Sequence, residues 1–411
     1  MAAVAAHVSP TATQDDFAAA VASMASPSKQ TSVEKPKAKG RPRKDKTQTQ
    51  SLPSPPAASS PSASAASPID AHASGDVHMD MASDVEDDAD EDFQEIEKLQ
   101  DAGINAADLR KLKEAGLNTA MAVIYTTKRD LCSIKGLSEQ KVEKIQEAAR
   151  KLTSAGFITG SEFVRTKCKK RFRLSTGSTK VDQLLGGGVE SCSITEFFGE
   201  FRCGKTQLCH SLSVIAQMPQ SYGGANGKVC YIDTENTFRP DRITQIAQAF
   251  GVDPQQVLDN IIYARCYNSE HLVQLLLCVA AKMAEEKYAL LVVDSIMGPF
   301  RVDFTGRGDL AERQQLLSRV MSRLQKLSEE YNLAVVITNQ VMADPAAAMS
   351  FAANPPKPIG GHVLAHYSTT RIALRKGRGE QRIMKIIDSP NLPEGDCVFE
   401  ICNKGIQDAK D

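Results

Sequence analysis

The run Gly199-Glu200-Phe201-Arg202-Cys203-Gly204-Lys205-Thr206, "GEFRCGKT", constrains the chain more than any other stretch. It fits the phosphate-loop template of a glycine, four free positions and Gly-Lys-Thr. It follows "SITEFFGE", a predicted strand, and precedes "TQLCHSLSVIAQ", a predicted helix, which is the setting that gives the motif meaning. Glycines there let backbone amides wrap phosphate oxygens, and the helix N-terminus favours their charge. Residues 199–206 are therefore expected to bind ATP. Lys205 would reach the β- and γ-phosphates, and Thr206 would hold Mg²⁺ through its hydroxyl. Cys203 is read as a small residue that fits the loop rather than as a redox switch.

A phosphate loop needs a parallel sheet behind it, and the later sequence supplies one. "GKVCYIDT", "YALLVVDS" and "NLAVVITNQ" are short apolar runs that end in polar residues, as buried parallel strands do. In "LLSRVMSRLQKLSEEY", Leu316, Leu317, Val320, Leu324, Leu327 and Tyr331 fall on one helical face. "TTRIALRKG" and "QRIMKIIDS" are expected to extend the sheet. The fold class is α/β, with the site at the polar strand ends. Asp294 is the expected metal-orienting carboxylate, alongside the hydroxyl of Thr206. Glu235 is the candidate catalytic base that positions the attacking water, and Gln340 the candidate γ-phosphate sensor.

The rest of the 411 residues divides by composition. Residues 1–92 are rich in Ala, Ser, Pro and Thr with few large apolar residues, and are expected to be disordered. They carry a basic segment at 35–46 and an acidic run at 80–92, so the net charge of −1 hides a polarised tail. "KAKGRPRKDK" admits three readings: an AT-hook-like minor-groove binder, a nuclear-import signal, or a solvated charge run. Residues 93–155 alternate short helical patterns with turn glycines, and Val142, Ile145 and Leu152 recur at helical spacing. "IKGLS" places a glycine between two short helices, as in a helix-hairpin-helix module. There backbone N–H groups can hold a DNA phosphate beside Lys135 and Lys141; a helical domain for protein contacts is the equal alternative. Residues 156–172 read as a linker, and 173–411 as the ATPase core. No apolar run reaches the length of a membrane span, the N-terminus lacks a secretory signal, and ten cysteines lack zinc-site spacing. A soluble intracellular protein with reduced thiols is expected.

"GEFRCGKTQ", "YIDTENTFRPDRI", "VVDSIMGPFRVDFTGRGDLAERQQ", "TNQVMADPAAAMSFAANPPKPIGGHVLAH" and "LRKGRGEQRIMKIIDSPNLPE" together resemble the eukaryotic branch of the RecA family. Its members form ATP-dependent filaments that exchange DNA strands. The resemblance covers about 93–411, and "DTENTFRP", "SIMGPFRVDF" and "ADPAAAMSF" are most like its meiosis-specific branch. It implies a RecA-like core with a small helix-hairpin-helix domain. "FRVDFTGRGDLAER" resembles the first DNA-binding loop, with Arg301, Arg307 and Arg313 on phosphates and Phe304 beside them. Several guanidiniums among glycines suit a single strand held by its backbone. Arg382 matches a further DNA contact. Residues 341–357, from Val341 to Lys357, resemble the second DNA loop and begin one residue after Gln340, which offers a coupling between nucleotide and DNA.

The resemblance also implies self-assembly into a filament or ring. Phe157 matches the anchor that docks on a neighbouring subunit, with Gly160 where the family has alanine. The lost methyl is expected to weaken docking by up to about 1 kcal/mol, one buried CH₂. Asp388 to Pro393, in "DSPNLPE", resemble the cap over a neighbour's ATP, and His366 approaches the same phosphates. Gly298-Pro299 and Tyr367 also depart from the family pattern. Implied partners are single- and double-stranded DNA, further copies of the chain, and meiotic accessory and mediator proteins, in the nucleus and with no membrane. The alternatives are a recombinase paralogue that mediates without exchanging strands, and a RecA-fold motor.

Overall fold

The computed structural model describes residues 93–153, 156–306, 308–342 and 357–410. The tail with its segments 35–46 and 80–92 lies outside them, as do Arg307 and residues 343–356 of the expected second loop.

Residues 93–153 form a helical unit. A 3₁₀ turn (Ile96–Gln100) precedes α1 (Ala106–Glu114), α2 (Ala120–Tyr125), α3 (Lys128–Cys132) and α4 (Glu139–Thr153). Asn105, Thr119 and Thr127 cap the first three helices by accepting backbone N–H bonds. The unit closes its own core around Leu99, Leu112, Val123, Leu131, Val142 and Ile145, with Leu152 half-buried at its margin. Gly136, at φ +82°, makes the α3–α4 turn. Lys141 pairs with Asp108 at 2.8 Å, while Lys111 also pairs with Asp108 and donates to the Gly136 carbonyl at 3.1 Å. The hydrogen bond from Lys141 is the main cause holding the Asp108 carboxyl below its ordinary value. Lys135 remains exposed at the turn.

The connecting stretch 156–172 is more than a linker. Thr159 caps α5 (Gly160–Thr166), which buries no residue, and Phe157 is fully exposed just before it. A Cβ on Gly160 would meet nothing within 4 Å.

The core is a nine-stranded mixed sheet. Its strands are β1 (Ser193–Gly199), β2 (Lys228–Asp233), β3 (Ile261–Arg265), β4 (Tyr288–Asp294) and β5 (Ala334–Asn339). Then follow β6 (Thr370–Lys376), β7 (Gln381–Asp388), β8 (Asp396–Cys402) and β9 (Gly405–Asp408). Their order is β9-β8-β7-β6-β1-β5-β4-β2-β3, parallel from β6 to β3 and antiparallel from β6 to β9. The apolar runs of β2, β4 and β5 are continuous because both faces are covered. Tyr231, Val292 and Val336 face one core cluster, and Cys230, Val293 and Ile337 face the other. On the first face pack α6 (Lys205–Ile215) and α7 (Pro240–Phe250); on the second pack α8 (Ser269–Glu285) and α9 (Leu310–Glu330). In α9, Leu317, Val320, Leu324 and Leu327 are buried at the expected spacing, with Leu316 partly so. Each fully buried side chain of this kind contributes roughly 1.5–3 kcal/mol.

The helical unit is fastened to the C-terminal end of α9. Thr119 Oγ1 donates to Glu330 Oε1 at 2.6 Å, Tyr125 OH donates to Glu329 Oε2 at 2.7 Å, and Phe93 packs edge-on against Tyr331 at 5.1 Å. Burial raises the Glu330 carboxyl above its ordinary value despite the bond from Thr119. A carboxyl raised in the folded state holds its proton more tightly there than in the unfolded chain. Its contribution to stability therefore falls as pH rises above 4.5, the ordinary glutamate value. Glu330→Gln keeps an acceptor for Thr119 and removes the charge. The variant is expected to gain on the wild type in thermal unfolding between pH 4.5 and about pH 7. A constant difference over that range would mean that Glu330 does not titrate on unfolding.

Candidate functional site: a phosphate-loop cleft joined to a cationic loop

The loop 199–206 runs from the end of β1 into α6. A Cβ on Gly199 would lie 2.2 Å from the Leu374 carbonyl oxygen, so only glycine fits there. Gly204 adopts φ +103° at the N-cap of α6, whose first N–H groups have no side-chain cap. An uncapped helix start beside a glycine turn is an anion cradle. Lys205 Nζ donates to the carbonyls of Gly199 and Glu200, both at 2.9 Å. Cys203 is buried under the loop, where desolvation raises its thiol. Phe201 is exposed, with the Arg202 guanidinium 5.3 Å from its ring centre. Glu200 is exposed on the same loop.

Asp294, at the end of β4, is 2% exposed. Its Oδ2 accepts from Thr206 Oγ1 at 2.7 Å and from Tyr231 OH at 3.0 Å, while Thr338 Oγ1 donates to Oδ1. Burial raises its carboxyl, and these hydrogen bonds oppose the rise. Thr206 and Asp294 are thus brought together as the sequence suggested. Two hard oxygen donors fit a small divalent cation that completes its shell with phosphate and water. No larger cluster of His, Cys, Asp and Glu that could hold a metal occurs among the described residues.

The other two strand-end groups meet each other. Glu235 Oε1 accepts from Ser295 Oγ and from Gln340 Nε2, each at 2.7 Å. Gln340 Oε1 in turn accepts from Arg301 Nη1. A hydrogen-bonded chain therefore runs from the cleft to the first arginine of the cationic loop. Phe304 is half-buried, its ring 6.3 Å from that of Phe300, and Arg313, in the first turn of α9, has a buried, unpartnered Nε. Phe304, Gly306, Asp309, Leu310 and Arg313 line a hollow of about 290 Å³. Gly298 is needed where it stands, because a Cβ would lie 2.5 Å from Thr234 Oγ1, and Pro299 opens the short helix that carries Arg301. Val341 and Lys357 stand at the feet of the second loop, with Val341 opposite Pro358 and Met342 opposite Lys357 in a two-residue antiparallel ribbon.

Arg382 lies on β7 against the phosphate loop, 9% exposed. It lines the nucleotide cleft, an open space of about 960 Å³ shared with Glu235, Asp294, Gln340 and Arg242. The antiparallel return of β7 beside β6 carries it there. His366, Asp388 and Pro393 line no part of this chain's own cleft. His366 stacks edge-on with Tyr367, whose hydroxyl lies 3.3 Å from Ser318 Oγ.

The sequence reading passed over several contributors. Arg242 braces the cleft wall, donating to Gln207 at 2.8 Å and to the carbonyls of Cys402 and Asn403. Tyr231 and Thr338 sit inside apolar strands, and only their registration beside β4 shows that they serve Asp294. Asp233 was visible, since it stands two residues before Glu235 at the same strand end.

The Rad51 family model matches residues 167–409. The chain is 58% identical over 331 residues to the meiotic recombination protein DMC1/LIM15 homolog of Mus musculus, spanning 80% of this chain and 97% of that protein. It is 56% identical over 337 residues to the meiotic recombination protein DMC1 homolog of Lilium longiflorum, spanning 82% and 96%. To the DMC1 homolog of Arabidopsis thaliana it is 55% identical over 334 residues, spanning 81% and 96%.

Arg382 generates a prediction from its position. Arg382→Ala is expected to weaken binding of a slowly hydrolysed ATP analogue about tenfold, the loss of a charge-assisted contact. Single-strand affinity at saturating analogue should not change. The reverse pattern, with nucleotide affinity kept and DNA affinity lost, would return Arg382 to the DNA surface.

Proposed function

The chain belongs to the Rad51 family, and we propose that it is an ATP-dependent DNA recombinase of meiosis. It assembles on single-stranded DNA and catalyses homologous pairing and strand exchange with a duplex. The observation that carries this reading is the chain of hydrogen bonds from Glu235 through Gln340 to Arg301. A site that only hydrolysed ATP would have no use for a link to a cationic loop.

The phosphate loop and the start of α6 bind the triphosphate, and Lys205 exchanges its loop carbonyls for the β- and γ-phosphates. Thr206 and Asp294 hold Mg²⁺, which when bound neutralises charge on the phosphate oxygens. Glu235, held by Ser295 and Gln340, orients a water toward the γ-phosphate. Arg301, Arg307 and Arg313 take phosphates of the single strand. Contacts to the backbone leave base edges free, so that sequence is read by pairing and not by the protein. ATP acts chiefly as the assembly signal and its hydrolysis permits release. Phe157, fully exposed, anchors one copy on the next; His366 and the 388–393 cap act on the neighbouring copy's nucleotide. Meiotic accessory and mediator proteins are the further partners, and chromosomes place the action in the nucleus. No described helix is long and apolar enough to cross a membrane.

Strand exchange between a single-stranded circle and its homologous linear duplex tests the reading. Joint molecules are expected from the wild type with ATP, and not from Lys205→Ala or Arg307→Ala. Nucleotide and DNA binding without joint molecules would instead make the protein a mediator.

The basic segment 35–46 serves as a second, duplex-directed site, with arginines beside Gly40 and Pro42 laid in the narrow minor groove of A·T-rich DNA. Deleting residues 1–79 is expected to weaken binding to A·T-rich duplex and leave single-strand filament formation unchanged. Equal duplex affinity with and without the tail would remove that role.

A further inference from the structure

Asp233 ends β2 with its side chain wholly buried. A buried carboxylate is costly unless hydrogen bonds replace its water, and here three of the five come from one turn. Oδ1 accepts from the backbone N–H of Glu235 at 2.9 Å and of Asn236 at 2.7 Å, and Oδ2 accepts from that of Phe238 at 3.1 Å. The turn is thus wound around the carboxylate, with Asn236 in the left-handed region at φ +61°. From the edge strand β3, Arg265 Nη1 donates to Oδ1 at 3.2 Å and to the Asp233 carbonyl at 3.2 Å, and Tyr263 OH donates to Oδ2 at 3.3 Å. On the other side, Thr234 Oγ1 donates to the Ser295 carbonyl and accepts from the Ser295 N–H, both at 2.8 Å.

We propose that Asp233 is the positioning residue for Glu235, with Arg265 and Tyr263 as its braces from β3. The proposal rests on the reading of Glu235 as the group that orients the attacking water. Asp233 touches no substrate in this role. It fixes the backbone on both sides of Glu235, so that the glutamate side chain has one direction to take, toward Ser295 and Gln340. A misplacement of about 1 Å at such a group costs about 100-fold in rate. Arg265 makes the edge strand part of the arrangement: without its guanidinium, Oδ1 keeps its two turn N–H donors and loses its counter-charge.

Asp233→Asn keeps the shape but turns one acceptor into a donor that faces N–H or guanidinium groups. Single-strand-stimulated ATP hydrolysis by the full chain should fall about 10- to 100-fold in kcat. KM for ATP, and single-strand affinity with a slowly hydrolysed analogue, should stay within about twofold. If Asp233→Asn does not fold, Arg265→Gln and Arg265→Lys carry the test, since Arg265 is partly exposed. The glutamine should lose kcat in the same way and the lysine should restore most of it. Wild-type kcat in both Asp233→Asn and Arg265→Gln would overturn the proposal. So would a loss of analogue-dependent DNA binding alongside kcat, the mark of a general structural defect. Glu235→Gln separates the two layers. If it hydrolyses ATP at the wild-type rate, the role of Glu235 fails and this inference with it. If it is inactive while the Asp233 and Arg265 variants are normal, only the positioning role fails.

Discussion

The arrangement depends on one buried carboxylate, Asp294. Four hydroxyls converge on it: Thr206 of α6, Tyr231 of β2, Thr338 of β5 and, at 3.4 Å, Thr237 of the turn after β2. Leaving such a carboxylate unpaired at 2% exposure would cost several kcal/mol, so these donors are not optional. They pin the helix after the phosphate loop to the ends of strands on both sides of β4. Glu235 and Gln340 lie just beyond those same strand ends, and so the depth of the loop and the reach of both side chains are set together. A parallel sheet makes this possible, because all its polar strand ends emerge on one edge.

Most of that edge could be read from the sequence. The apolar runs of β2, β4 and β5 end in polar residues, and the loop motif fixes where phosphate must sit, so Glu235, Asp294 and Gln340 could be placed together without coordinates. Other features depended on pairing that sequence does not state. Arg382 reaches the cleft because β7 doubles back beside β6, a return that the sequence does not state. Tyr231 and Thr338 look like ordinary members of buried strands until register sets them against Asp294. The pairing of Lys141 with Asp108, 33 residues earlier, was not legible because it arises only once α1 and α4 pack. The helix α2, "AMAVIY", gave weak helical signal from its β-branched and aromatic residues, and it is held by the Thr119 cap and the core of its unit.

The two buried carboxylates Asp294 and Asp233 solve the same problem in different ways. Asp294 is satisfied by side-chain hydroxyls, which can turn toward other partners at little cost. Asp233 is satisfied mainly by backbone N–H groups, which cannot turn without refolding the turn they belong to. A carboxylate meant to share its oxygens with a cation is better served by the first kind of neighbour. One meant to hold a backbone in place is better served by the second. The chemistry of the donors thus separates exchangeable from fixed parts of the site, although both residues are buried acids at adjacent strand ends.

The exchangeable parts set the size of any coupling between nucleotide and DNA. Lys205 rests on two neutral carbonyls, and Gln340 is shared between Glu235 and Arg301. Both donors are cations, and an anionic phosphate oxygen is a stronger acceptor for them than a neutral carbonyl or amide oxygen. On the proposed reading, a DNA phosphate that took Arg301 would cost Gln340 one partner and free it to turn toward the γ-phosphate, and a γ-phosphate that took Gln340 would free Arg301 for DNA. The two ligands compete for the ends of one short chain and not with each other. Linkage then requires each to tighten the other by the same factor, and a relay of two such bonds fits the usual coupling of about 1–3 kcal/mol. On that reading the coupling would be enough to bias assembly yet small enough for hydrolysis to reverse.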